Sequence, residues 1–396
     1  MQHIAPGQQR IRSIDFFRGF IMLIMALDHV RDYFHEDALI DVPTNLATTT
    51  PTLFFTRWIT HFCAPMFLFL SGVSAHISGQ KKSTAELSTF LVKRGVWLIL
   101  IEAFVFNLVL TFNPAYNIIF LTVFWAIGWA MVILGLLIRT SLTTILVVGV
   151  IIVAGHNITD YFKPPGSPIV ASILGVFVTG IGTAFPIAKD HLVIAGYAIL
   201  PWTGIMLLGY WFGKYFRNDV DVLHRRNMLR TAGLAITGFF LILRIINVYG
   251  DPVPWTAQRN IMYTVFSFLN TSKYPVSLQF TCMILGPSLL ALSFLENARG
   301  SFVRFATVYG RVPFFYFIGH FFVAHVLCVI AFFATGYTTT EISHPQSPFL
   351  FRPPDFGFSL AVTYLIWIAV VLLMYYPCKW FGEYKQRNRH WWLSYV

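Results

Sequence analysis

The sequence predicts an all-α fold, a polytopic transmembrane helical bundle of about ten spans. Composition, recurring apolar runs and the spacing of basic residues point there. Of 396 residues, 56% are hydrophobic and only 11% are charged, against about 25% charged in soluble domains. Mean hydropathy is +0.66. Apolar runs of about 20 residues, the length that crosses ~30 Å of hydrocarbon, recur along the chain. The formal charge of +11 does not indicate nucleic acid, because the basic residues form no single patch. They cluster as Arg10 and Arg12; Lys81, Lys82, Lys93 and Arg94; Lys214, Arg217, Arg225, Arg226 and Arg230; Arg299, Arg304 and Arg311; Lys379, Lys385, Arg387 and Arg389. Basic-poor loops separate the clusters, as the positive-inside rule produces.

Taken in order, the spans fall near 15–34, 53–78, 90–112, 117–138, 141–156, 190–213, 229–249, 275–295, 311–335 and 358–378, with 141–156 short. An even number puts both termini on one side, expected to be cytoplasmic, together with every basic cluster. The opposite side receives 35–52, 157–189, 250–274 and 336–357, which hold five Lys or Arg. Residues 167–187, "SPIVASILGVFVTGIGTAFPI", are apolar enough to span. Spanning would move the later basic clusters across, so a surface or re-entrant hairpin is expected, helped by Gly and Pro. The chain reads as a single domain over 1–396 with no internal repeat. Charges punctuate the first run, so it is not a cleavable signal peptide. Cys63, Cys282, Cys328 and Cys378 show no CxxC spacing, and buried free thiols are expected rather than a disulfide or a metal site.

The candidate site comes from ionisable residues inside the spans, which are costly there and by default mark a pathway. In "FFRGFIMLIMALDHV", Arg18 and His29 are eleven residues apart. At about 100° per residue they share one helix face, about 16 Å apart along the axis. A deep cation below a titratable imidazole forms an axial track. Asp28, turned about 100° away, is expected to pair locally with Arg31 instead of sharing the target of His29, as Asp15 pairs with Arg18. His61, in "TRWITHFCAPMFLFLSGVSAH", enters at a depth comparable with His29, so the two imidazoles are expected to meet. Pro65 and Gly72 loosen that helix. Glu102 and Asn107 in "LILIEAFVFNLVL" and His320 in "GHFFVAHV" are supporting candidates; His325, about 140° from His320, reads as structural and Arg244 as snorkelling.

Two stretches, "RIRSIDFFRGFIMLIMALDHVRDYFH" and "FFTRWITHFCAPMFLFLSGVSA", resemble the membrane acyltransferase family typified by the catalytic domain of heparan-alpha-glucosaminide N-acetyltransferase. "LPWTGIMLLGYWFG", "KYPVSLQFTCMILGP", "GRVPFFYFIGHF" and "WWLSYV" fit as well. The spacing of Arg18 and His29 is similar to that of the acyltransferase-3 membrane enzymes. The resemblance implies a donor-binding Arg18 and a catalytic histidine. The human-type enzyme carries asparagine where His29 aligns and aspartate where His61 aligns, and the nearest counterpart of its catalytic histidine is His35. The candidates are therefore His29 first, then His35 and His61.

The implied reaction moves an acetyl or other acyl group from cytoplasmic acyl-CoA to a hydroxyl or amine of an extracytoplasmic, carbohydrate-like acceptor. Acetyl-CoA or another acyl-CoA is the donor substrate, no cofactor is tightly bound, and the setting is a bacterial inner membrane. A neutral imidazole suits either proton removal or an acyl-imidazole intermediate. His61, Asn107 or Glu102 would orient the ring or stabilise the oxyanion. The alternatives are a proton-coupled small-molecule transporter using the intramembrane His and Glu residues, and a non-catalytic scaffold.

Overall fold

The computed structural model describes residues 12–162, 166–180 and 183–395. Arg10, and residues 181–182 of the apolar stretch 167–187, lie outside them. Helix α1, Arg12–Phe34, is the central post: 17 of its 23 residues are buried. A helix buried nearly all round belongs to the interior, not to the lipid boundary.

The second span is two helices, α2 (Pro51–Thr60) and α3 (Cys63–Gly79). The break falls at His61 and Phe62 because the Pro65 ring clashes with the carbonyl four residues back and offers no N–H. Helix α4 (Thr84–Leu100) starts on a Ser83/Glu86 capping box and runs through a π turn, Ile101–Phe106, into α5 (Asn107–Thr111).

The next two spans depart from expectation. Residues 117–138 open as strand β1 (Ile118–Leu121), leaving α6 (Val123–Leu137). After α7 (Leu142–Gly155) and α8 (Pro168–Leu174), the stretch 167–187 continues through a π turn and ends in strand β2 (Thr183–Ala188). Residues 190–213 open as β3 (His191–Ala195) before α9 (Ile199–Phe212). The strands form one sheet in the order β1-β3-β2, with β1 parallel and β2 antiparallel to β3. Apolar runs rich in Ile, Val and Phe read alike as buried helix or strand, and here strand pairing decides. Helices α6 and α9, at 15 and 14 residues, then reach only about 21–22 Å.

The chain closes with α10 (Val222–Ile246), α11 (Ile261–Leu269), α12 (Leu278–Leu295), α13 (Ser301–Gly310), α14 (Pro313–Ala334) and α15 (Leu360–Arg387). Seven helical units among the described residues are long and apolar enough to cross a membrane. This is an integral membrane protein. Helix α1 packs against α2, α3, α12, α13, α14 and α15. Its approach to α13 is backbone to backbone: a methyl on Gly19 would lie 1.9 Å from the Ala306 carbonyl oxygen, and one on Gly310 would lie 1.8 Å from that of Asp15. Only glycine permits that crossing.

Candidate active site

Three cavities follow one face of α1. A chamber of about 230 Å³ is lined by Asp28, His29, Asp32, Arg57, Thr60, Phe67, Thr122, Val123, Tyr197, Lys273, Tyr274 and Phe317, among others. A neck of about 80 Å³ shares Phe67, Val123 and Phe317 with it and adds Arg18, Met22, Arg94 and Phe124. A vestibule of about 560 Å³ shares Arg18, Ser71, Arg94, Met131 and Pro313 with the neck and adds Lys82, Arg311 and Lys385. The same-face placement of Arg18 and His29 thus becomes a track, polar at each end and apolar between. No Asp or Glu lines the vestibule among the described residues.

His29 is only half-buried, while its α1 neighbours Asp28 and Val30 are buried. Its Nδ1 lies 2.8 Å from His320 Nε2, and His320 Nδ1 lies 2.8 Å from the Tyr316 carbonyl oxygen. A carbonyl only accepts, so His320 Nδ1 carries a proton and, with that ring neutral, Nε2 presents a lone pair. His29 must then donate from Nδ1, which leaves its own Nε2 bare. Phe321 stacks on the ring at 4.1 Å between centroids. The expected partner, His61, is elsewhere: it is buried, its ring edges onto Phe280, and it does not line the chamber. Three residues of α2 separate it from Arg57, and it sits at the α2–α3 break with its ring against Phe280.

His35 does not line the chamber either. Its Nδ1 accepts from the Asp37 amide at 3.3 Å, its carbonyl accepts from Arg352 at 2.7 Å, and burial pushes its pKa below the ordinary histidine value. It ties the end of α1 to the loop around Phe358, with which it forms a parallel bridge.

Arg18 stays on the track, paired with Asp15 at 3.5 Å and donating to Ser74 Oγ at 3.0 Å. Asp28 does pair with Arg31, at 3.4 Å, but it also faces the chamber, where it holds Arg57 of α2 in a short ion pair. A rotation of about 100° separates side chains on an isolated helix, yet a chamber that wraps the post receives both. Asp32 bonds Arg31 at 2.5 Å.

Glu102 and Asn107 do not support the imidazole. Glu102 is 0% exposed and caps α6, accepting from Thr122 N at 2.8 Å, Thr122 Oγ1 at 2.5 Å, Phe124 N at 2.9 Å and Trp125 N at 3.2 Å. A carboxylate suits those orphan amides and the positive end of the helix dipole. Asn107 docks β1, exchanging bonds with Phe120 O (2.9 Å) and Phe120 N (2.6 Å). Glu102→Gln is therefore expected to lower thermal stability by about 1–3 kcal/mol, because amides are left facing an NH₂ group. Turnover per folded molecule should be unchanged, as measured by specific activity after size exclusion; a selective loss of kcat would return Glu102 to the chemistry.

Arg244 does not snorkel. It is 0% exposed and donates to the carbonyls of Phe268 (2.8 Å), Ser267 (2.9 Å), Val253 (3.2 Å) and Asn270 (3.3 Å) and to Gln279 Oε1 (3.0 Å). It thereby braces the loop that carries Lys273 and Tyr274 into the chamber. His325 is structural, with Nε2 2.9 Å from the Leu350 carbonyl.

A family model described as heparan-alpha-glucosaminide N-acetyltransferase, catalytic, matches residues 10–243, more than half of the 396. The chain belongs to that family. No curated protein matches it. The heparan-alpha-glucosaminide N-acetyltransferase family is one of transmembrane acetyltransferases, and the matched region contains α1 with Arg18 and His29, together with Arg57, Arg94 and the Glu102 cap. Lys273, Arg311 and His320 lie beyond it.

Sequence reasoning passed over Arg57, Lys273, Tyr274, Arg94 and Arg311. One signal was available: Lys273 is one of the five basic residues in loops otherwise poor in them.

Proposed function

We propose that this acetyltransferase moves an acetyl group from acetyl-CoA, entering at the Arg18 end, to an amine or hydroxyl of a glycan acceptor entering beside Tyr274. The observation that carries the reading is the shared-wall track from the vestibule, whose described lining is basic, to the bare Nε2 of His29. Arg18, Arg94, Arg311, Lys82 and Lys385 suit the donor's phosphates, with Arg forming the charge-assisted, bidentate bonds. Arg94 Nε is buried without a hydrogen-bond partner among the described residues, a donor awaiting an acceptor. Met22, Phe67, Val123, Phe124 and Phe317 suit the donor's uncharged arm. At the far end Tyr274 is 37% exposed, which opens the chamber to a second substrate.

With both substrates present, the acceptor N or O attacks the thioester carbonyl carbon and His29 Nε2 takes its proton. The tetrahedral intermediate then collapses, the C–S bond breaks, and the sulfur leaves with the electron pair and takes the proton back from the imidazolium. His320 holds the ring in the tautomer this requires. In this reading the whole chain is one domain in a bacterial inner membrane, and the charge bias supports a cytoplasmic vestibule and termini, so the acetyl group crosses to an extracytoplasmic acceptor.

Release of free thiol from acetyl-CoA by the purified protein, with methyl α-glucosaminide as acceptor probe, tests the reading. Absence of both thiol release and acetyl-CoA binding would sink it, and uptake of a solute driven by a pH gradient without CoA would favour transport. Within it, the Arg94→Ala/Arg311→Ala double variant is expected to raise the donor KM by about 10- to 100-fold, the size of one or two charge-assisted bonds. The acceptor KM should not move, and the wild-type advantage should shrink in high salt. An unchanged donor KM would place the phosphates elsewhere.

A further inference from the structure

The two carboxylates that line the chamber, Asp28 and Asp32, are both held by arginines, Arg57 in the wall and Arg31 behind it. Asp28 is shared by Arg57 and Arg31, and Asp32 is held by Arg31. Two carboxylates thus meet two arginines, and Lys273 is the third cation. It lines the chamber and makes no ion pair among the described residues, its side-chain partner there being the Tyr274 hydroxyl. It shares the chamber wall with His29 and Asp28.

Three other donors in the chamber wall are engaged. Thr60 Oγ1 donates to the Arg57 carbonyl at 2.7 Å, Thr122 Oγ1 to Glu102 at 2.5 Å, and Tyr274 OH to Tyr197 OH at 3.5 Å. The Lys273 ammonium sits 5.2 Å from the Tyr274 ring centroid and 6.0 Å from that of Tyr197. Burial alone would push the Tyr274 phenol up; the adjoining Lys273 charge, with Arg57, brings it below the ordinary tyrosine value.

The loop that presents this lysine is held unusually firmly for a connection. Besides the five bonds from Arg244, Asp251 accepts from the Ser272 amide at 2.8 Å and from Ser277 Oγ at 2.6 Å, directly flanking Lys273. Asn270 Nδ2 reaches across to the Thr44 carbonyl at 3.2 Å. A cation carried on a segment braced in this way can meet charge that appears only during reaction with little reorganisation of the backbone.

Resting on the acyl-transfer reading above, we infer that Lys273 is a catalytic residue, its ammonium stabilising the oxyanion of the tetrahedral intermediate opposite His29. When the acceptor attacks, the carbonyl π pair moves onto oxygen facing Lys273, while the acceptor's proton goes to His29. Collapse returns the pair to the C=O bond and expels the thiolate, which His29 protonates. Lys273 transfers no proton. Of the side chains that sequence alone nominated for this stabilisation, Glu102 and Asn107 are committed elsewhere and His61 does not line the chamber.

The test uses the full chain in lipid nanodiscs, with acetyl-CoA and methyl α-glucosaminide, and measures thiol release and melting temperature. Lys273→Met is expected to lower kcat by about 100-fold or more at an unchanged melting temperature, as removal of one oxyanion donor does. Lys273→Cys should be equally slow. Its aminoethylation with 2-bromoethylamine, which rebuilds a lysine-like side chain, should recover at least tenfold; the variant is made on a Cys63→Ala background because Cys63 also lines the chamber, and the other three native cysteines are buried. Wild-type kcat in Lys273→Met, a raised acceptor KM with kcat intact, or no recovery on aminoethylation would overturn the assignment and leave acyl transfer standing. A wild-type protein that releases no thiol to the glucosaminide or to water would remove both.

Discussion

His29→Ala is expected to lower kcat for thiol release by about 10³-fold, within the range set by loss of a positioned general base, with no change in donor KM. The reason is geometric. Of the three histidines nominated along the chain, His29 alone lines the chamber, and its Nδ1 is engaged by His320 at 2.8 Å, which leaves Nε2 bare. His35→Ala and His61→Ala should retain wild-type kcat in the folded fraction, since neither ring lines the chamber. Stopped-flow or end-point thiol detection on detergent-purified, monodisperse variants separates these outcomes. A folded His29→Ala protein with full turnover would end the assignment. Activity lost only in His35→Ala would return the chemistry to the end of α1.

The second large effect is structural and lies far from α1 in sequence. Arg244→Met should destabilise the protein by about 3–5 kcal/mol, the cost of breaking a fully buried charge network from one side. Its guanidinium satisfies four carbonyls and Gln279, and Asp251 lies 3.9 Å away. Removing it leaves those acceptors and a buried carboxylate without their cation. Because that network holds the Lys273–Tyr274 segment, the folded remainder should also lose turnover and become cleavable by protease within 250–277. Thermal unfolding in nanodiscs and limited proteolysis read the two consequences separately. A melting temperature within a degree of wild type would show that Arg244 reaches the interface after all.

The part of the site legible beforehand is the part written along one helix. Arg18 and His29 could be placed together because the 3.6-residue repeat of α1 fixes their relation without other information. Asp15–Arg18 and Asp28–Arg31 were legible for the same reason. Helix–strand identity at 118–121 and 191–195 was not, since hydrophobicity is high in both alternatives and the pairing partners lie some 70 residues apart. Glu102 illustrates a second kind of miss. A carboxylate inside an apolar segment signals function on grounds of cost, but the same cost is offset by four hydrogen bonds at a helix N-terminus that only the fold places beside it.

The sequence by itself determined that this protein is an integral membrane bundle, which family it belongs to, and that one face of its first helix carries a cation and an imidazole. Those properties are local: they follow from composition, from helical periodicity and from residues adjacent in the chain. Which histidine faces a cavity, that His320 contacts it from 291 residues away, that Arg94 and Arg311 join Arg18 at one end of the track, and that a braced loop brings Lys273 to the other are visible only once the chain is folded. Each of these depends on contacts between distant segments, whose pairing is chosen by packing and by the need to satisfy every buried polar group, and neither constraint is written in any single stretch of the chain.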